Sequence, residues 1–83
     1  MADAVEDLPV YKQIRRCIAE RIERGDYPTG SMIPSENELA EEFGTTRLTI
    51  RSAMDELVKS GQIRRVQGKG AFVGHKWFDE HER

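Results

Sequence analysis

The chain has 83 residues, of which 37% are hydrophobic and 34% are charged, and its formal net charge is −2. This length allows one small domain, and a single cysteine, Cys17, excludes an internal disulfide and a cysteine-rich zinc site, so we expect a reducing, cytoplasmic compartment and no cofactor. No apolar run approaches the roughly 20 residues that cross a bilayer, and the acidic start MADAVED is unlike a signal peptide, so we expect no membrane contact.

The first predicted element is a helix over residues 8–25. Pro9 suits the first helical turn, because its missing N–H would be unpaired there, and Gly25 suits the C-terminal cap. Arg21 faces the apolar side of this helix, and two roles are open to it: reaching the surface or binding a phosphate. Cys17 is expected to be a small core residue. The apolar stripe recurs at a spacing of three and four residues and consists of Val10, Ile14, Cys17, Ile18 and Ile22.

A turn-rich segment and a short helix follow. Residues 26–34 hold two prolines and a glycine, which leaves room only for a very short strand around residues 32–33. Ser35 and Glu38 then have the spacing of a capping box, in which each side chain accepts the backbone amide of the other residue. Gly44 is expected to end this helix. Its inward face is formed by Leu39, Ala40 and Phe43.

A longer helix begins almost at once. Thr46 is a good N-cap, and the helical period continues up to Gly61. Residues 44–46 lie between the two helices and have the length of the turn in a helix-turn-helix. The inward face of the longer helix is formed by Ile50, Ala53, Met54, Leu57 and Val58.

A basic hairpin completes the order of elements. Residues 62–74 place β-branched and aromatic side chains on either side of residues 67–70, and their imperfect alternation predicts short strands with a flexible tip. The predicted fold class is mainly α with a small β-hairpin: a winged helix-turn-helix with three helices, a short strand and a two-stranded wing. We expect this domain to cover residues 8–75, between an acidic tail, residues 1–7, and residues 76–83, which begin a linker to an effector domain.

Basic residues are concentrated in the longer helix and the wing. Residues 1–44 carry five basic and ten acidic side chains, whereas residues 45–76 carry seven basic and two acidic ones. This asymmetry is expected where one face meets an anion, although a solvated charged face is an equally open interpretation. Arg47 and Arg51 repel each other at a spacing of four, so they favour an anionic partner. The alternative is that both are solvated, with Arg51 paired to Asp55.

In a winged helix-turn-helix, the second helix of the pair enters the major groove of DNA, and the wing lies along the backbone or in the minor groove. Leu48 would then pack on a thymine methyl, although isolated exposed leucines are common. Gly68 and Gly70 would allow a phosphodiester to come close to the wing, beside the charges of Arg64, Arg65 and Lys69. Phosphate also suits the hydroxyls and amides at the start of the longer helix, on Thr45, Thr46 and Thr49.

Three blocks of residues 9–73 resemble the DNA-binding domain of the GntR family of bacterial transcriptional regulators: PVYKQI, GDYPTGSMIPSENELAEEFGTTRLTIRSAM and GQIRRVQGKGAFV. The second block and the wing are similar to the HutC branch, whose effector domains bind sugars, amino acids or phosphonates. The resemblance implies a sequence-specific, ligand-responsive repressor that binds a palindromic operator in double-stranded DNA. It also implies a homodimer whose small-molecule effector is held by a further, C-terminal domain.

The resemblance assigns individual residues as well. Residues 46–47 and 49–51 match the family's motifs at the start of the recognition helix, and residues 68–70 match its wing motif. Gln67 stands where the family reads the minor groove. Asn37 stands where the family usually has a DNA-contacting arginine, so that contact is either absent or becomes a hydrogen bond without charge. The expected DNA-binding residues are Ser35, Asn37, Thr45, Thr46, Arg47, Leu48, Thr49, Arg51, Arg65, Gln67, Gly68, Lys69 and Gly70.

Two other classes of function compete with DNA binding. A winged helix also serves as a protein-interaction module, with its basic face on an acidic partner. DNA binding differs from this alternative because it predicts an affinity that falls steeply with salt and a two-fold repeated half-site. An enzyme is disfavoured, because the sequence shows no nucleophile–base pair, metal cluster or paired carboxylates, and the adjacent Glu41 and Glu42 diverge on a helix.

Overall fold

Three α-helices and a β-hairpin form the fold of residues 8–74, the part of the chain that the computed structural model describes. The predicted fold class, mainly α with a small hairpin in winged helix-turn-helix order, is confirmed. The predicted tail, residues 1–7, and the predicted linker, residues 76–83, lie outside the described residues, as does His75. The elements are α1 (Val10–Arg24), α2 (Glu36–Phe43), α3 (Arg47–Lys59), β1 (Ile63–Val66) and β2 (Gly70–Val73).

Helix α1 begins after Pro9 and ends at the predicted glycine. Pro9 has φ −55° and ψ 152°, so it is the N-cap residue and does not occupy the first helical turn as predicted. Gly25 is the C-cap, with a left-handed φ of 88°. The predicted apolar stripe is wrong at Val10, which is 57% exposed, because the first turn of α1 extends past the core to border Leu48.

Local hydrogen bonds set both ends of α2. The Ser35 amide donates to Glu38 Oε1 at 2.9 Å, and the Glu38 amide donates to Ser35 Oγ at 3.1 Å, so the predicted capping box is present. Gly44 ends the helix with a left-handed φ of 66°, as the sequence predicts. The inward face is also the predicted one, formed by Leu39, Ala40 and Phe43.

The capping box makes the stability of α2 testable. Because Ser35→Ala leaves the Glu38 amide without its side-chain acceptor, we expect it to lower the free energy of unfolding by about 1 kcal/mol. Urea denaturation followed by circular dichroism would measure this loss. Ser52→Ala, at an exposed position inside α3, is the matched control and should not destabilise the fold. Equal unfolding midpoints for wild type and Ser35→Ala would contradict the capping role.

The wing is an antiparallel hairpin with four-residue strands, and Ile63 pairs with Val73 at its base. The predicted short strand around residues 32–33 is reduced to a single antiparallel bridge between Met32 and Phe72. Two backbone hydrogen bonds of 2.9 Å, from Ile33 N to Ala71 O and from Val73 N to Ser31 O, flank this bridge. They hold the wing against the segment that leads into α2.

Helix α3 is the central element, since it contacts α1, α2 and β1. Its first turn extends beyond the core, so Arg47 and Leu48 are exposed there. Cys17 is half-buried and lies at the edge of the core instead of inside it. All three helices, both strands and the short bridged segment contribute to one core, which consists of Ile14, Ile18, Ile33, Leu39, Ala40, Ile50, Ala53, Met54, Leu57, Ile63 and Val73.

Arg21 joins α1 to α2 from within the fold. Its Nη1 donates to the Tyr27 hydroxyl at 2.7 Å, and its Nη2 donates to the Glu42 carboxylate. The guanidinium also lies 5.0 Å from the centroid of the Phe43 ring. The hydrogen bonds to Glu42 and to Tyr27 raise the pKa of this guanidinium. Arg21 therefore ties α1 to α2, a role that neither of the two open interpretations named.

Candidate nucleic-acid interface

A groove of about 460 Å³ lies between the start of α2, helix α3 and the wing. Its walls come from residues 34–37, from Arg47 and Met54 on α3, and from residues 65–71. The fold therefore brings most of the predicted DNA-binding residues together around one concave surface. These are Ser35, Asn37, Arg47, Arg65, Gln67, Gly68, Lys69 and Gly70.

A second, shallower depression of about 320 Å³ holds two more predicted residues, Leu48 and Thr49. Leu48 is 75% exposed, and the exposed Val10 at the start of α1 lies across the depression from it. Two large apolar side chains on this edge gain nothing from water, so they are available to a partner with apolar groups. The sequence does not predict Val10 as part of this surface, because its spacing matches the buried stripe of α1.

Arg47, the first residue of α3, is an exposed cation on the wall of the 460 Å³ groove. No residue between 8 and 74 forms a hydrogen bond or an ion pair with its side chain. Lys69 at the wing tip is also exposed, and within the same range it makes no ion pair. Among residues 8–74, neither of these two cations has an ion-pair partner, and they lie on opposite sides of the groove.

Arg51 and Arg65 differ from Arg47, because carboxylates of the domain already balance their charges. Arg65 Nη1 lies 2.5 Å from Asp55 Oδ1, and its Nη2 lies 3.8 Å from Glu36 Oε2. Arg51 Nε lies 3.6 Å from the same Glu36 oxygen. The alternative interpretation that paired Arg51 with Asp55 is therefore wrong, since β1 brings Arg65 to Asp55. We call Glu36, Arg51, Asp55 and Arg65 the ion-pair cluster.

The sequence does not predict Glu36 as part of the site. An acidic residue in the first turn of a helix is ordinarily explained by the helix dipole, and Glu36 also follows the capping Ser35. Its contacts with Arg51 and Arg65 depend on how α3 and β1 pack beside α2. The only local signal is an acidic residue inside a segment already expected to face DNA.

Some polar groups of the threonines at the start of α3 already form hydrogen bonds within the domain. Thr46 Oγ1 accepts the amide of Thr49 at 3.2 Å, which confirms the predicted cap. The Thr45 amide donates to Ala40 O at 2.9 Å as part of the end of α2. The first four amides of a helix have no partner inside it. The Thr49 amide is bonded to the Thr46 side chain, so the amides of Arg47 and Leu48 are the ones available to bind an anion at this positive end of the helix.

The wing tip is a tight turn that needs glycine. Lys69 N donates to Val66 O at 2.9 Å, and Gly68 at the third turn position has a left-handed φ of 81°. A β-carbon at Gly68 would meet nothing within 4 Å, so the backbone conformation alone selects glycine there. At Gly70, with φ 132°, a β-carbon would lie 3.3 Å from Met32 Sδ. The turn therefore exposes Gln67 and Lys69 on a bare backbone.

Within residues 8–74, no three or more histidine, cysteine, aspartate or glutamate side chains are grouped so that they could hold a metal ion. None of the helices in this range has the length and hydropathy needed to span a bilayer.

The family model for bacterial regulatory proteins of the gntR family matches residues 10–73. The chain belongs to the GntR family. Among curated GntR relatives, the HTH-type transcriptional repressor NagR from Bacillus subtilis (strain 168) is 39% identical over 66 residues, which cover 80% of this chain and 27% of NagR. The histidine utilization repressor from Pseudomonas putida is 40% identical over 65 residues, which cover 78% of this chain and 26% of that protein. The chain thus spans about a quarter of the length of these relatives.

Solved GntR structures share the fold. The structure of AraR(DBD) in complex with operator ORR3 superposes with a TM-score of 0.78 at 43% sequence identity, covering 81% of each chain. A GntR family transcriptional regulator from Listeria monocytogenes superposes with a TM-score of 0.80 at 31% identity, covering 92% of this chain and 68% of the other. The resemblance to the GntR family and the winged helix-turn-helix fold are therefore confirmed.

Proposed function

We propose that the chain is the sequence-specific DNA-binding domain of a bacterial, ligand-responsive transcriptional repressor. The observation that carries this proposal is Arg47, an exposed cation without an ion-pair partner in residues 8–74, on the groove that also holds residues 67–70 of the wing. AraR(DBD), with 43% identity, has been solved with an operator bound. Two relatives, NagR and the histidine utilization repressor, are named repressors, and this chain matches about a quarter of the length of each.

In the proposed complex, the first turn of α3 enters the major groove. Arg47 forms a bidentate contact with guanine O6 and N7, and its position at the helix start lets the guanidinium reach base edges. Leu48 and Thr49 lie against neighbouring bases, where the Leu48 side chain packs on a thymine methyl. The free amides at the start of α3 and the nearby hydroxyls of Thr45 and Thr46 bind a phosphate.

In the proposed complex, the wing contacts the same duplex from the side of the protein groove opposite to α3. The bare backbone at Gly68 and Gly70 lets the tip enter the minor groove, where Gln67 reads base edges and Lys69 binds a phosphate. Ser35 and Asn37 contribute hydrogen bonds from the start of α2, and Arg51 and Arg65 bind phosphates that lie beside the ion-pair cluster.

The whole protein is proposed to add what this domain lacks. A domain covering residues 8–75 contacts one half-site, so a homodimer would read a palindromic operator with two-fold symmetry. Residues 76–83 would begin the linker to an effector domain that binds a small molecule in the cytoplasm. No catalytic role is proposed. The isolated 83-residue chain is expected to bind DNA weakly, and the dimeric whole protein is expected to bind far more tightly.

Selection from a random duplex pool tests the proposal directly. The 83-residue chain would be immobilised, and bound duplexes would be amplified and sequenced over successive rounds. We expect one enriched half-site, with a palindrome when the whole protein is used, and an affinity that falls steeply as salt rises. Enrichment of no sequence, together with tight binding to an acidic protein, would instead support a protein-interaction module.

A further inference from the structure

The ion-pair cluster joins three elements within the proposed interface. Glu36 is the first residue of α2, Arg51 and Asp55 lie one turn apart on α3, and Arg65 lies on β1. All of its ion pairs are at least partly exposed, with Asp55 50% exposed. Exposed pairs of this kind add little to the stability of a fold. Two carboxylates on a surface that faces phosphates also repel the ligand, so stability alone does not explain their position.

The geometry of Arg65 gives the cluster a second effect. Asp55 binds one of its terminal nitrogens at 2.5 Å, while Glu36 lies 3.8 Å from the other. The guanidinium is therefore held against α3 in one orientation and cannot follow phosphates freely. A cation fixed in this way meets a phosphate only when the duplex is docked in one register.

We infer that Asp55 is a positioning residue for sequence discrimination, which acts by holding Arg65. This inference rests on the proposed DNA-binding function. Non-specific binding comes mainly from cations that neutralise phosphates in any register, and a tethered Arg65 adds little to it. In the specific register, Arg65 is already oriented and loses little freedom on binding. The ion pair between Asp55 and Arg65 therefore lowers the affinity for non-specific DNA more than the affinity for the specific DNA sequence.

Asp55 is a cleaner test of this effect than Glu36. Glu36 contacts both arginines, lines the groove and lies in the first turn of α2, where its charge also favours the helix. The ion pair of Asp55 is with Arg65, and Asp55 lies in the middle of α3, away from the helix ends. Asp55→Asn keeps the shape of the side chain and removes only its charge.

The test compares wild type and Asp55→Asn in the 83-residue chain. Fluorescence anisotropy would measure binding to the duplex selected from the random pool and to a scrambled duplex of the same length and base composition, over a series of salt concentrations. We expect Asp55→Asn to bind the scrambled duplex up to about fivefold more tightly, since a freed Arg65 gains at most what an exposed ion pair is worth. The slope of log affinity against log salt should steepen by about one for that duplex. The ratio of specific to non-specific affinity should fall.

Two further variants separate positioning from a general change in charge. Glu20→Gln removes the same charge from a similarly exposed ion pair, that of Glu20 with Arg16 on α1, where Glu20 is 56% exposed. It should leave the affinity ratio unchanged. In an Arg65→Gln background, Asp55→Asn should have no effect on that ratio, because its action passes through Arg65.

Each remaining outcome overturns a stated claim. If Asp55→Asn matches Glu20→Gln in affinity ratio and salt slope, the positioning role is wrong. If Asp55→Asn weakens binding to both duplexes equally and lowers the melting temperature, Asp55 is structural only, and the inference fails. If wild type itself prefers no duplex sequence, the proposed function fails instead, and the failure is visible before any variant is made.

Discussion

The Arg47→Ala chain is expected to bind the selected duplex about 5- to 150-fold more weakly than wild type, the range that one bidentate arginine–guanine contact spans. Arg47 is exposed at the start of α3 and has no ion-pair partner among residues 8–74. Its removal should therefore change the free energy of unfolding by less than about 0.5 kcal/mol. Anisotropy titrations with the selected and scrambled duplexes, together with a melting curve, would measure both effects.

Two further variants show whether Arg47 contributes shape or charge alone. Arg47→Lys keeps the charge but loses the planar fork, so it should retain affinity for the scrambled duplex and lose affinity for the selected one. Arg16→Ala removes an exposed arginine from α1, outside the groove, and should affect both duplexes slightly and equally. If Arg47→Ala and Arg16→Ala reduce specific binding by the same factor, Arg47 does not read a base.

The sequence predicts the helix-turn-helix well because its boundaries are set by local chemistry. The hydroxyl of Ser35 and the carboxylate of Glu38 are three residues apart, and that spacing suffices to form the capping box seen in the structure. Gly44 and Thr46 likewise end one helix and begin the next through their own conformation and hydrogen bonds. One side of the groove follows from this turn, because the turn joins the end of α2 to the start of α3, whereas the other side, residues 65–71, depends on where the wing packs.

Contacts between distant elements could not be predicted in the same way. Arg51 and Asp55 have the spacing of an ion pair on one helix, but β1 brings Arg65 to Asp55 and Glu36 takes Arg51. Helical spacing shows which side chains share a face of the helix, but it does not show which residues of other elements contact that face. Packing decides which partner each arginine takes, so the local sequence around Glu36 does not predict its ion pairs with Arg51 and Arg65.

The periodicity of apolar residues also does not show where along a helix or strand its apolar face stops being buried by the rest of the domain. Val10 belongs to the apolar stripe of α1 by spacing, yet no element within residues 8–74 covers the first turn of that helix. On the wing, Val66 is exposed while Ile63 is buried, because the register of a two-stranded hairpin leaves only its base against the core. Predictions of the core are therefore weakest at the ends of elements, which is also where this fold presents its candidate interface.

Leu57→Ala is expected to have the largest effect on stability. Leu57 is fully buried in the middle of α3, the helix that contacts α1, α2 and β1. Truncating a buried leucine creates a cavity that its neighbours fill only in part, and this costs about 2–5 kcal/mol. Small domains of this size have a stability of only a few kcal/mol, so a large fraction of the Leu57→Ala chain should be unfolded at 37 °C. Urea denaturation at a lower temperature, followed by circular dichroism, would measure the loss.

Leu48→Ala is the matched control, because it makes the same chemical change on the same helix at a position that is 75% exposed. It should alter the free energy of unfolding by less than about 0.5 kcal/mol, since no cavity forms and little buried apolar area is lost. The two variants thus separate fold from recognition: Leu57→Ala should lose DNA binding only in proportion to unfolding, whereas a Leu48→Ala chain should lose affinity for the selected duplex while still folded. Similar unfolding losses in both variants would mean that the first turn of α3 is packed against the domain and is not free to enter a groove of DNA.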